Sequence, residues 1–283
     1  MTEPRIIIHG GFFSEADTSD SIKQAKQNAL DHIARFSYGF LASHSALHTV
    51  VNAVTLLEDC DLFNAGIGSQ IQRDGKIRMS AALMDGSSLK FSGVINIENV
   101  KNPIKVAETL LQEVDRVLAG EGALTFAREK GFEHFNTETD HRRKEYESKR
   151  ATAGLGTVGC VALDRDGKLA VATSTGGKGF ELPGRVSDSA TVAGNFANEF
   201  CAVSCTGVGE DIVSGAVAAK IVTRVTDGLS VKEACERTFS ELLPFDGFAG
   251  AIAIDKHGNM FHIDSHPNIV FASFDGLELK MFK

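Results

Sequence analysis

The sequence has no run of about 20 apolar residues, the length a membrane-spanning helix needs. The apolar stretch in MTEPRIIIHGG is also too short for a signal peptide and reaches glycine at once. These two absences lead us to expect a cytoplasmic protein. Basic residues are not in excess: 29 Lys and Arg against 37 Asp and Glu leave a formal charge of −8, which gives no electrostatic reason to expect nucleic acid or an anionic membrane as partner. The five cysteines (Cys60, Cys160, Cys201, Cys205, Cys235) are odd in number and form no close CxxC pair, so a zinc ribbon is excluded and buried, reduced thiols are expected. Neither a Pro/Gly/Ser-rich linker nor an internal repeat divides the chain. We therefore expect 1–283 to be one domain, long enough to bury a sizeable core.

Along the chain, Arg5 to His9 reads as a strand ending in a glycine turn. A helix over Asp17 to Arg35 follows, with Ile22, Ala25, Ala29 and Ile33 on one face and Asp17, Ser19 or Asp20 as its cap. Ser43 to Glu58 is a second helix, with Ala46, Val50, Ala53, Val54 and Leu57 in its stripe. A tight loop at Phe63–Gly68 leads to strands at Ile77–Asp85 and Phe91–Ile97 and helices at Pro103–Leu118 and Ala123–Lys130, Pro103 standing at a favoured first position. Thr137 to Arg150 is polar with nearly balanced charge and reads as a solvated linker. Further on come strands at Ala190–Ala193 and Phe200–Cys205, helices at Gly209–Thr226 and Ser230–Leu243, and a closing hairpin of Ala249–Ile254 and Met260–Ile263. The strands fall in two groups with helices outside each, which predicts an α+β fold of two stacked sheets between helical layers.

At the centre is GTVGCVALDRDGKLAVATSTGG, Gly156 to Gly177: two apolar runs joined by Asp164-Arg165-Asp166-Gly167, the pattern of a hairpin buried on both faces. Thr157 opens it just after the polar segment. A threonine hydroxyl becomes a good nucleophile once a base takes its proton, and a free α-amine on the same residue is such a base, with an unperturbed pKa of about 7.7–8.0. Exposing that amine requires the Gly156–Thr157 bond to break. Read alone, Thr157 is equally an ordinary β-branched strand residue. Arg185 and Asp188 suit the carboxylate and ammonium of an amino acid, or form a plain surface pair. Thr206-Gly207 stands where a strand turns into a helix, and reads as an oxyanion site or as a simple N-cap.

Four blocks carry a resemblance: Gly156-Thr157-Val158-Gly159; Thr173-Ser174-Thr175-Gly176-Gly177; Pro183-Gly184-Arg185-Val186 with Asp188-Ser189; and Ser204-Cys205-Thr206-Gly207 with Gly209-Glu210. With His9-Gly10-Gly11 and Leu57–Gly68, they resemble the plant-type asparaginase/isoaspartyl peptidase family of N-terminal nucleophile hydrolases. The resemblance implies a four-layer αββα sandwich and self-cleavage into an α subunit (1–156, with 137–156 a mobile linker) and a β subunit (157–283). It implies hydrolysis of L-asparagine and β-aspartyl dipeptides through a threonine ester, with no catalytic cofactor. By the same resemblance Thr157 is the nucleophile, Thr175 its hydrogen-bond partner, Thr206 and Gly207 the oxyanion donors, and Arg185, Asp188 and Asn64 bind substrate. Leu57, Glu58, Cys60, Phe63, Ala65 and Ile67 would form a structural sodium loop, and the assembly would be a dimer of processed αβ heterodimers.

Two rival readings are an uncleaved amino-acid-binding protein and an N-acetylglucosaminyl-asparagine hydrolase. His9 is the alternative base. His262, Asp264 and His266 suggest a metal site but lack a third fixed ligand, so surface polar residues are the better reading. The chain departs from the resemblance at Phe12-Phe13, where small residues are usual beside the cleavage site, and at Lys178–Leu182, which bears on leaving-group preference.

Overall fold

A computed structural model describes residues 2–13, 19–148 and 156–283. Its strands are β1 (Arg5–Phe12), β2 (Met79–Asp85), β3 (Lys90–Ile97), β4 (Val117–Ala119), β5 (Val158–Leu163), β6 (Leu169–Thr175), β7 (Asn195–Ala197), β8 (Cys201–Gly207), β9 (Ala249–Asp255), β10 (Met260–Asp264), β11 (Ile269–Phe274) and β12 (Leu279–Met281). Its helices are α1 (Asp20–Leu41), α2 (Ala46–Glu58), α3 (Pro103–Leu110), α4 (Gly120–Glu129), α5 (Asp140–Glu147), α6 (Gly209–Gly215), α7 (Val217–Thr226) and α8 (Val231–Ser240).

The hairpin forms as the turn residues dictate: β5 and β6 are buried along their whole length, and Gly167 takes the positive φ of +75° that the turn requires. They lie at the middle of an eight-stranded sheet of order β12-β11-β1-β5-β6-β2-β3-β4. A second sheet, β10-β9-β8-β7, packs on its inner face through contacts of β8 with β5 and β6 and of β9 with β1. Helices α1, α2 and α3 cover the outer face of the large sheet, and α7 and α8 that of the small one. The result is the α+β, four-layer αββα sandwich.

The stripe expected on α2 is buried as expected, and Ser45 caps the helix by accepting from His48 N. Helix α1 starts one residue after its cap Ser19 and runs on to Leu41, beyond the Arg35 expected; Asp17 lies outside the described residues. Its buried stripe is Lys26, Leu30, Ile33, Ala34, Ser37 and Leu41, one step round from the face expected.

Several expectations are corrected. Helix α3 stops at Leu110, and Val117–Ala119 is a parallel edge strand beside β3. Ala190–Ala193 is no strand: a 3₁₀ turn covers Asp188–Ala190, and the strand begins at Asn195. The helix expected over Gly209–Thr226 is broken by Ala216 in the left-handed region (φ +48°). The chain does not close on β10, because β11 and β12 return to the large sheet. Within the expected linker, residues 140–147 form α5, capped by Thr139, while 149–155 lie outside the described residues. Helix α5 is held by Arg142 Nε donating to the Gly68 carbonyl (2.9 Å) and Tyr146 Oη to that of Arg73 (3.1 Å).

All five cysteines are free and four are buried. Among the described residues no helix is long and apolar enough to cross a membrane.

Candidate active site

Thr157 immediately precedes β5, and Thr175 ends β6. Because the two strands are antiparallel, with Val158 opposite Ser174, both threonines stand at the same end of the hairpin. The Thr157 hydroxyl donates to Thr175 Oγ1 at 3.1 Å, and Gly177 N–H donates to the same oxygen at 3.2 Å. Asn64 organises the loops around them. Its backbone N–H donates to the Gly156 carbonyl (3.2 Å) and its carbonyl accepts from Gly176 N–H (2.9 Å), while its side-chain amide donates to the Gly177 carbonyl. At Gly156 a Cβ would stand 2.6 Å from the Asn64 Cβ, so this close approach requires glycine.

Behind Thr157, His9 on β1 is fully buried between the sheets. The Thr157 carbonyl can only accept, so His9 Nδ1 carries the proton and donates to it (3.0 Å). Nε2 therefore accepts from the Ser204 hydroxyl (2.8 Å), which in turn accepts from Thr173 Oγ1 (2.7 Å). Burial pushes the imidazole down to about 3, opposed only by its bond to Thr157, and the ring stays neutral. With both ring nitrogens engaged and neither on the Thr157 hydroxyl, His9 is a holder of the backbone and not the alternative base. Gly159 makes room for it: a Cβ there would lie 2.0 Å from Ser204 Oγ and 2.4 Å from His9 Nε2.

The loop after β6 brings Arg185 to the same end, tied by Asn96 Nδ2 donating to its carbonyl (3.0 Å). Its guanidinium is paired side-on with Glu210 of α6, Nε to Oε1 at 3.1 Å and Nη2 to Oε2 at 2.8 Å. These bonds draw the Glu210 carboxyl down to about 2. Lys178 Nζ also reaches Glu210 Oε1, at 3.3 Å. Asp188 is buried, its Oδ2 has no hydrogen-bond partner, and burial raises its pKa to about 7 against the opposing pull of Arg185. Two glycines clear the space beside it. A Cβ on Gly209 would fall 2.7 Å from Arg185 Nη2 and 2.9 Å from Asp188 Oδ1, and one on Gly194 2.4 Å from Asp188 Oδ2.

Thr206, near the end of β8, has a fully buried hydroxyl with no partner. Gly207 follows at φ +135°, its Cα pressed so close to the Phe248 carbonyl that a Cβ would lie 2.5 Å from it. Helix α6 begins two residues later and has no side-chain cap bond. Buried polar atoms without partners are rare and costly. The partnerless oxygen of Asp188 belongs to a side chain beside Arg185, and that of Ser69 lies against Gly176, next to Thr175; with the guanidinium these polar atoms suit a small zwitterion.

The loop over Leu57, Glu58, Cys60, Phe63, Ala65 and Ile67 is tightly wound. A Cβ on Gly68 would meet the Phe63 carbonyl at 1.8 Å and that of Asp61 at 2.9 Å, and one on Gly66 the Glu58 carbonyl at 2.2 Å. Glu58 Oε1 accepts from Ser174 and Ile104, whereas Oε2 is buried and unpartnered. Burial raises the Glu58 carboxyl to about 8, so it is a neutral acid at pH 7, and it is the carbonyl oxygens of the loop that suit a hard cation. Elsewhere, His262 stacks on Phe271 (3.7 Å), and no cluster of three or more His, Cys, Asp or Glu able to hold a metal occurs among the described residues.

The sequence did not reveal Glu210 as the partner of Arg185 or His9 as the anchor of Thr157. Opposite charge was the only available signal for the first, and nothing in the spacing marked the second.

An αββα sandwich with a buried threonine hydroxyl at the start of a central strand is the architecture of the N-terminal nucleophile class of hydrolases. A family model described as asparaginase (Asparaginase_2) matches residues 2–278, and the chain belongs to that family. It is 46% identical over 279 residues to an isoaspartyl peptidase/L-asparaginase of Nostoc, covering 91% of this chain and 87% of that one. To the isoaspartyl peptidase of Escherichia coli it is 41% identical, covering 92% and 89% of the two chains. To a plant-type L-asparaginase of Pyrococcus furiosus it is 35% identical, covering 90% and 91%.

Proposed function

We propose that the protein hydrolyses L-asparagine and β-aspartyl dipeptides to release L-aspartate, after cutting itself between Gly156 and Thr157. One observation carries this reading: the Thr157 hydroxyl, already paired with Thr175, shares its end of the sandwich with a guanidinium and with a buried carboxyl that has an oxygen to spare. In the uncut chain the Thr157 hydroxyl attacks the Gly156 carbonyl, and the amide nitrogen leaves as an amine when the acyl group moves to oxygen. Water then hydrolyses the ester. The freed α-amine takes the hydroxyl proton in each later turnover, when Thr157 Oγ1 attacks the β-carbonyl of the substrate. Arg185 binds the α-carboxylate through the edge Glu210 leaves open, Asp188 binds the α-ammonium, and Thr206 with Gly207 stabilises the oxyanion. The departing amine is ammonia from asparagine or the second amino acid of the dipeptide, and water then releases aspartate from the ester.

Residues 1–156 and 157–283 are the two subunits of the mature enzyme, and two such heterodimers associate. The loop at 57–67 holds a structural sodium ion through carbonyls of Leu57, Glu58, Cys60, Phe63, Ala65 and Ile67, remote from any chemical step. The free thiols support a cytoplasmic location.

The test is aspartate release from L-asparagine and a β-aspartyl dipeptide by purified protein, with Thr157→Ala as control. Activity on both that is lost in the variant is expected. Turnover by Thr157→Ala, or none by the wild type, would contradict the reading.

A further inference from the structure

Strand β1 contacts both halves of the candidate site. Between His9 and Phe12 its ladder with β11 slips: His9 pairs with Phe271 and Phe12 with Ile269, three steps on β1 against two on its partner. This is a bulge, formed where Gly11 takes φ +89°. Residues three apart on a regular strand face opposite ways. The extra residue turns Phe12 to the same side as His9, towards the small sheet. There His9 holds the Thr157 carbonyl and bonds Ser204 of β8. Phe12 packs edge-on against Phe248 at 4.6 Å and fills the space beside Gly250, where a Cβ would lie 2.8 Å from its Cζ.

Phe248 is itself the clamp on the corner between β8 and α6. Its carbonyl accepts from Val208 N–H (2.9 Å) and presses on Gly207, and its N–H donates to Asp211 Oδ2 (2.9 Å) in the first turn of α6. The second face of its ring stacks on His266 at 4.6 Å.

We propose that β1 is the strut that sets the spacing between nucleophile and oxyanion site, with His9 and Phe12 as its two positioning residues. His9 fixes Thr157 through its carbonyl, and Phe12 fixes Thr206–Gly207 through Phe248. The bulky side chain after the two glycines is thus a support placed behind the site. This inference rests on the proposed hydrolytic reading. Wild-type turnover, measured first, tests that reading, and the strut is tested by comparing variants.

The experiment measures kcat and KM on L-asparagine for fully processed Phe12→Ala, Phe12→Leu and Phe13→Ala, with the folded fraction checked by thermal melting. Phe13 is the control, because it packs at the end of the same strand on Phe282 and under Lys26, away from Gly207. A shift of the oxyanion donors by a fraction of an ångström should lower kcat of Phe12→Ala about 10- to 100-fold and leave KM within about twofold, since the substrate anchors are untouched. Phe12→Leu, which fills only part of the space of the ring, should regain part of the loss and stay about threefold or more below wild-type kcat, and Phe13→Ala should match wild type. If Phe12→Ala does not fold, Phe12→Leu decides: kcat reduced about threefold or more at unchanged KM supports the strut. Wild-type kcat in the Phe12 variant that folds, or equal losses in the Phe12 and Phe13 variants, would overturn it.

Discussion

While the chain is uncut the Thr157 nitrogen is a peptide amide and can accept no proton, so its hydroxyl has Thr175 as its neighbour and no base on its own residue. In the proposed reaction the residues around it prepare binding more than activation. Asp188 shows this most directly. Its pKa is raised from 3.8 to about 7, chiefly by burial, so the folded protein keeps a proton that the unfolded chain has lost. Between about pH 4 and 7 the native state binds more protons, and its stability falls as pH rises through that window. An ammonium placed beside Asp188 favours the charged form and expels the proton. Binding of L-aspartate near pH 6 should therefore release close to one proton, seen as buffer-dependent heat in calorimetry, and Asp188→Asn should abolish both the release and the stability slope. Heat independent of buffer would mean that Asp188 does not meet the amine. At Arg185, lysine keeps the charge but loses the fork that serves Glu210 and substrate together. Arg185→Lys should raise KM for asparagine about 30-fold or more without stopping self-cleavage. Unchanged KM would make the Arg185–Glu210 pair purely structural.

At the scale of elements, Asp164 joins the central hairpin to the helix that covers it. Its Oδ1 accepts from Asp166 and Lys168 within the turn, and its Oδ2 from Ala46 N–H at the start of α2 (2.9 Å). Asp164→Ala strands three N–H groups, one of them at a buried helix start. We expect a loss of about 2–4 kcal/mol in urea unfolding; a loss below about 0.5 kcal/mol would show that water replaces the carboxylate. The turn itself was legible, because Asp164-Arg165-Asp166-Gly167 contains a residue that must take positive φ, but the bond to α2 joins residues 118 apart and leaves no local trace. The same division holds throughout. The stripe of α2 and the strands β2, β3, β5, β6 and β9 are written in local periodicity. The errors fall where tertiary packing decides: three-residue strands such as β4 and β7, the non-glycine break at Ala216, and the late strands β11 and β12, which a hairpin reading of β9–β10 had left out. Motif residues were legible at the site because glycine and charge stand out there. Glu210 and His9 find their partners only when distant segments of the chain meet.

For the whole molecule, the strand order decides what the proposed self-cleavage could release. Residues before Gly156 supply β1, β2, β3 and β4 of the large sheet, and residues after it supply β5, β6, β11 and β12. The two sets alternate, so the ladders β11–β1, β1–β5 and β6–β2 all join one segment to the other. The fragments cannot separate without breaking the central sheet. They should co-elute in native size-exclusion chromatography and part only in denaturing electrophoresis; separate native peaks would rule out this strand order. The measurement that bears most directly on the site is intact mass after storage at neutral pH, with the new N-terminus sequenced. Two fragments divided between Gly156 and Thr157, appearing together with asparagine hydrolysis and absent from Thr157→Ala, are the expected result. An uncut chain that hydrolyses asparagine at full rate, or a cut at any other bond, would contradict the assignment of Thr157 as an N-terminal nucleophile.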